Sequence, residues 1–230
     1  MSYPTLGSFV PDVRFNLGGR TDINDNISKW LRDAYREIAM GYPLETLEES
    51  VQNSTVAGID TYDYPPNARG LKSIVVLNGV NPVPLTKKNI QVVRRYQINT
   101  PGIPSIWAPF GPTTFMMRAT PNGTYPLLLD YWKKPAIDAD EADVDVINAC
   151  EAELPDDWFE ILKQSATQKG HLDLQEADKA QAVRQILNGD PNNQKGWPGM
   201  IKERLNRNAS ENSLSNYGMR PRIRRYTSGS

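Results

Sequence analysis

The sequence holds one histidine and one cysteine, and that scarcity removes most of the familiar catalytic chemistry. A single cysteine, Cys150, excludes an internal disulfide and any cysteine-rich metal site, which leaves it as a small idle thiol. Nucleophilic catalysis needs a base beside a serine or cysteine. His171 falls near the end of a predicted helix, where ordinary packing accounts for it. No G-x-x-x-x-G-K-S/T loop or G-x-G-x-x-G turn is there to cradle a phosphate, and Gly18-Gly19-Arg20 is too short to be either. Long apolar runs are missing as well, with nothing near the roughly 20 residues that a membrane span requires. The opening Met-Ser-Tyr-Pro lacks the basic and apolar regions of a signal peptide, so the chain is expected to be soluble, made in a cytoplasm and without membrane contact.

Charge of one sign is also lacking, because the formal net charge is only -1. Overall electrostatics therefore do not draw the chain onto nucleic acid or an anionic membrane. Its distribution is uneven. Residues 202–230 carry Lys202, Arg204, Arg207, Arg220, Arg222, Arg224 and Arg225 against Glu203 and Glu211, a net of +5, which leaves -6 for the rest. Residues 138–157 hold nine acidic side chains and no lysine or arginine.

What is present begins with helical periodicity over residues 22–40, where Ile23, Ile27, Trp30, Leu31, Ala34, Tyr35 and Ile38 form one wide apolar face. Thr21 or Asp22 is placed to cap it, and Gly41 with Pro43 ends it. From about residue 51 to 136 the texture becomes short β-prone runs, at 61–64, 71–77, 114–118 and 127–132, broken by proline, glycine and asparagine. Asn78-Gly79 signals a hairpin, Pro121-Asn122-Gly123 signals a turn, and a short helix fits near residues 88–96. Leu154-Pro155-Asp156-Asp157-Trp158 reads as a helix start, with proline at the first position and aspartates facing the positive end of the helix dipole. Helix to about residue 172 follows, then a second from 174 to 187 stopped by Asn188-Gly189, and a short one over 200–207.

These elements predict an α+β protein in which residues 1–50 and 154–207 form a helical bundle domain and residues 51–137 form a β-rich insertion domain, sandwich- or barrel-like. Residues 138–153 read as an acidic linker, and 208–230 as an extended basic C-terminal arm, too poor in large apolar residues to fold alone. The acids Asp138, Asp140, Glu141, Asp143 and Asp145 resemble a calcium loop only superficially, since the sixth-position glycine and the terminal glutamate are missing. Pairs of carboxylates for glycoside cleavage can be nominated from any 27 acids, so they carry no weight. The expectation is no catalytic residue, no cofactor and no metal, with a cell-wall-degrading enzyme as the least favoured alternative. In the arm, proline extends the backbone and alternation sets Arg220, Arg222 and Arg224 opposite Ile223 and Arg225, a pattern suited to a partner's sheet edge or acidic groove, with a phosphate contact or an idle solubilising tail as the alternatives.

The opening helix 27–35, the lead-in Tyr62-Asp63-Tyr64-Pro65-Pro66 before the run 71–77, and Leu154-Pro155-Asp156-Asp157-Trp158 resemble the head-to-tail connector adaptors of short-tailed (podovirus-type) bacteriophages. The resemblance covers most of residues 22–190. It implies a structural virion protein of the neck or tail, made in the host cytoplasm. Its family forms a homo-oligomeric ring of about twelve copies beneath the portal protein, with tail nozzle and tail-fibre proteins below. DNA would pass through the ring's channel without sequence-specific binding. It further implies that Arg220, Arg222, Ile223, Arg224, Arg225 and Tyr226 dock on the portal. The chain alone is expected to be a monomer or a weak assembler. Another tail component, such as a fibre-attachment or baseplate protein, is the alternative reading.

Overall fold

The computed structural model describes residues 2–78, 81–95 and 101–188. Along them run a 3-10 turn (Leu6–Phe9), α1 (Val10–Asn16), α2 (Asn24–Gly41), β1 (Glu48–Ser54), β2 (Thr61–Asp63), β3 (Ala68–Asn78), β4 (Asn81–Pro84), β5 (Thr86–Lys87) and α3 (Ile90–Arg95). There follow β6 (Ile106–Pro109), β7 (Thr114–Arg118), β8 (Pro126–Lys133), α4 (Val144–Ala149), α5 (Phe159–Asp173) and α6 (Ala177–Asn188). The α+β class expected from the sequence is the class observed. Two compact units emerge from the contacts, one of residues 2–8 with 32–158 and one of 9–31 with 159–188; α2 contributes to both. The arm and the short helix expected at 200–207 lie outside the described residues.

The first unit is a β-sandwich. One sheet runs β1-β8-β3-β4 and the other β2-β7-β6-β5. All pairings are antiparallel except the short parallel β5–β6 contact. Asn78 pairs with Asn81, as the Asn-Gly hairpin signal predicts. Period-2 alternation decides what each strand buries. In β8, Leu127, Leu129 and Tyr131 enter the core, where they meet Leu71, Ile74 and Val76 of β3 and Trp107, Phe115 and Met117 of the other sheet. Residues of the opposite parity on β6 and β7, Ile106, Ala108 and Met116, pack instead with Val93 of α3. Because β6 and β7 are covered on both faces, they bury consecutive residues rather than alternate ones.

The acidic segment expected as a linker is structured. Asp143 caps α4 by accepting a hydrogen bond from the Asp145 amide at 2.9 Å, and Ile147 and Ala152 are buried. Its charge pattern concealed two apolar anchors, which fix the segment to the unit. Residues 2–8 are held against it by hydrogen bonds from Leu6 N to the Cys150 carbonyl and from Ala152 N to the Pro4 carbonyl, at 2.8 and 2.9 Å.

In the second unit, α1 packs along α5, with the Phe9 and Phe159 rings 5.3 Å apart and Lys163 bridging Asp12 and Glu160. Just ahead of α2 the Asp22 carboxylate pairs with Arg20 at 2.7 Å. Gly18 and Gly19, at φ of 83° and 75°, close the turn after α1 in a conformation that other residues resist. Gly170 permits the closest approach in the unit, because a Cβ there would lie 2.9 Å from both the Leu17 Cδ1 and the Trp30 ring.

Two stability outcomes follow from this packing. Gly170→Ala should lower the melting temperature despite alanine's helix preference of about 1 kcal/mol, because overpacking against the rigid Trp30 ring costs about 1–3 kcal/mol. Phe115→Ala should cost about 3–5 kcal/mol in denaturant unfolding. A neutral or stabilised Gly170→Ala protein would show that the helices separate readily there.

Candidate partner-binding surfaces

The residues singled out for docking, Arg220, Arg222, Ile223, Arg224, Arg225 and Tyr226, all lie outside the described residues. Among the described residues three surfaces stand out, all on the sandwich unit. The first is a groove of about 610 Å³ between β1 and β2, lined by Val51, Val56, Ile59, Tyr62, Tyr64 and Pro65 among others. Each of these strands is the terminal strand of its sheet, so the groove is flanked by two unpaired edges. Val51, Val56 and Ile59 are 38%, 51% and 45% exposed, an apolar strip beside the two edge strands. Such edges invite an added strand unless something covers them. Tyr62 shapes the end of the groove, its hydroxyl donating to the Ile59 carbonyl at 2.8 Å and accepting from the Val56 amide at 3.0 Å.

The second surface is the corner made by β5 and α3. Lys87, Lys88, Arg94 and Arg95 are exposed there within nine residues. The third is the acidic segment, where Asp138, Asp140, Asp143 and Asp145 are exposed. Arg36 and Arg32 donate to the backbone carbonyls of Ile137 and Glu141. Those arginines hold the segment's chain without using its carboxylates.

Elsewhere, the titratable side chains form structural clusters. Glu49 accepts from the Tyr131 hydroxyl at 2.8 Å, from Lys133 at 3.2 Å and from Asn67 at 3.3 Å, while Lys133 also reaches Glu153 at 3.0 Å. The Tyr131 bond above all, with help from Lys133 and against partial burial, holds the Glu49 carboxyl below its ordinary range. Burial raises the Tyr131 hydroxyl, and the bond to Glu49 raises it further. Arg118 pairs with Asp60 across the start of β2. Buried His171 makes a 2.7 Å contact through Nδ1 to Glu176, which also pairs with Lys179 at 2.9 Å, fastening the α5–α6 junction. Among the described residues no serine hydroxyl or cysteine thiol is a bonding partner of His171. Cys150 is a free, half-buried thiol whose pKa burial raises, the opposite of what a nucleophile needs. Among the described residues no group of three or more His, Cys, Asp and Glu side chains could hold a metal ion, and no helix is long and apolar enough to cross a membrane.

The described surfaces are thus an apolar groove beside two edge strands, a basic corner and an acidic edge. The SU10 adaptor protein family matches residues 4–196, which takes in both units of the fold. The chain belongs to that family, and is a structural adaptor of a bacteriophage and a virion component. No curated protein matches the chain. Sequence reasoning did not identify the groove, because β1 (Glu-Glu-Ser-Val-Gln-Asn-Ser) is too polar to read as a strand by apolar alternation. The basic corner had a legible signal, since residues 64–129 contain seven lysines and arginines and no acid.

The Glu49 cluster sets a pH dependence. A carboxyl whose folded pKa is depressed contributes stability above its unfolded pKa and loses it as pH falls through and below that value. The melting temperature should therefore decline as pH is lowered through the ordinary carboxylate range of about 4, and Glu49→Gln should flatten that decline in a calorimetric pH series. Identical pH profiles for the two proteins would contradict the cluster's role.

Proposed function

We propose that this chain is a head-to-tail adaptor that forms a ring beneath the phage portal, joins capsid to tail and surrounds the DNA exit channel. The family match across both folded units carries the reading. It is supported by the arginine-rich segment 219–226, which lies beyond the match and has the composition of an extended docking arm. In this reading Arg220, Arg222, Arg224 and Arg225 meet portal carboxylates, while Ile223 and Tyr226 fill apolar pockets between them. Residues 1–50 with 154–207 serve as the bundle and 51–137 as the tail-facing module, which reaches nozzle and fibre proteins. No catalytic step belongs to this function.

The charge balance fits a channel wall. A body of near-neutral or acidic charge lets duplex DNA slide, whereas a dense basic lining would hold its phosphates through counterion release. Contacts between identical ring neighbours are heterologous, and they close only when the rotation per subunit divides a circle. In this reading a portal template supplies that rotation, and the chain alone is expected to associate only weakly.

The test is native mass spectrometry of the purified chain, alone and mixed with the portal ring of the same phage. A small species that becomes a saturable, ring-sized complex is expected. Deleting residues 208–230 should leave the melting temperature unchanged and reduce portal affinity by at least about a hundredfold, since several buried charge contacts are lost at once. Undiminished binding by the truncated chain would remove the arm from the mechanism. No complex with the full chain would move the function to a fibre-attachment or baseplate role.

A further inference from the structure

We infer that the basic β5–α3 corner is a docking surface for the acidic 138–145 segment of a second copy of this chain, so that neighbouring copies meet through two unlike, oppositely charged patches. The inference deepens the ring reading above and rests on it for its place in the virion.

The corner's charge is free. Of the seven cations in the acid-free run 64–129, three are occupied by the fold: Arg69 donates to the carbonyls of Ala39 and Tyr42, Lys72 pairs with Glu48 at 2.6 Å, and Arg118 pairs with Asp60. Lys87, Lys88, Arg94 and Arg95 have no carboxylate partner among the described residues. The charged heads of two of them lie over aromatic rings, with the Lys87 ammonium 5.2 Å from the Trp107 centroid and the Arg94 guanidinium 5.0 Å from that of Phe110. Two of the corner's four charges are thus held in place by rings, and Lys88 and Arg95 flank them. Val92, 48% exposed, sits among them.

The acidic segment is its complement. Asp138, Asp140, Asp143 and Asp145 are exposed and Glu141 half-buried, and none has a cationic partner among the described residues. The arginines that touch the segment bind its carbonyls. Val146, 49% exposed, lies beside the carboxylates as Val92 lies beside the cations. Each patch therefore offers a small apolar centre with a charged surround, the composition of an interface. No ion pair joins the two patches within one chain, although both belong to the same compact unit. Two unlike patches on one molecule, complementary to each other, generate head-to-tail association that continues into a ring or a filament.

A nucleic acid is the other ligand four cations could take. Among the described residues the corner presents no exposed aromatic for a base to stack on, because Trp107 is buried and Phe110 is half-buried under Arg94. The same chain carries the matching carboxylates, which favours a second copy.

The experiment is sedimentation equilibrium of the full chain across a salt series, with two charge-reversed proteins. One carries Lys87→Glu, Lys88→Glu and Arg95→Glu. The other carries Asp138→Lys, Asp140→Lys and Asp145→Lys, sparing Asp143 and its helix cap. The unaltered chain should self-associate at low ionic strength and dissociate as salt rises. Each reversed protein alone should lose association by at least about tenfold, and an equimolar mixture of the two should regain it, because the swapped patches pair again. Unchanged association of either reversed protein overturns the inference, as does a mixture that fails to recover or an unaltered chain that stays monomeric at every salt. If only the acidic-segment variant loses association, the arginine-rich terminus is its partner and the corner is not. If the basic-corner variant loses affinity for a mixed-sequence DNA duplex while its self-association is unchanged, the corner is a phosphate contact and the inference falls. The ring reading fails separately: a chain that self-associates through these patches yet ignores the portal ring contradicts the reading and leaves the inference standing.

Discussion

Phe115 stacks between Tyr62 and Tyr64, with ring centroids 5.7 and 6.0 Å away, and meets the edge of Trp107 at 6.4 Å. Through this group the short-stranded sheet shares a dry layer with Leu127, Leu129 and Ile74 of the other sheet. The layer's depth fixes the register of β6 and β7, because a one-residue slip would exchange Trp107 and Phe115 with the residues under α3. Where α3 sits, and so where its arginines point their charge, follows from that register. So does the groove, since β2 is set beside β7 by Tyr62 opposite Phe115.

Around that layer the charges are segregated rather than mixed. The run 64–129 is wholly cationic and 138–157 wholly anionic, yet the chain's net charge is -1. A fold uses a few such charges for itself, as Lys72, Arg118 and Lys133 are used here, and intermixed signs would serve that purpose equally well. Separation into unlike patches suits a molecule that must meet its own copies in one orientation and reject others.

Much of this fold was legible in the sequence, and the failures have physical causes. The 3.6-residue spacing of Ile27, Trp30, Leu31, Ala34, Tyr35 and Ile38 marked α2, whose observed bounds differ by two residues or fewer. The runs 71–77, 114–118 and 127–132 all lie within observed strands, because β-branched and aromatic residues crowd into half-buried or buried strands. The α1 segment was not read, although Leu6, Phe9, Val13 and Leu17 are all buried at helical intervals; glycine and proline between them masked the period. α4 was hidden in the same way by its acids. Edge strands such as β1 carry their information in the backbone they expose rather than in apolar side chains, so composition did not reveal them or the groove they frame. No residue of the arm can be weighed in this way, since 189–230 lie outside the described structure.

The central claim is positional: this adaptor sits between portal and tail, as a ring. A cryo-electron microscopy map of the virion neck tests it most directly. The account predicts a closed ring of density directly under the portal into which both units fit, with residues 138–145 of one copy beside the β5–α3 corner of the next. Density for this chain found only at the fibres or the distal tail, with another protein filling that position under the portal, would contradict it.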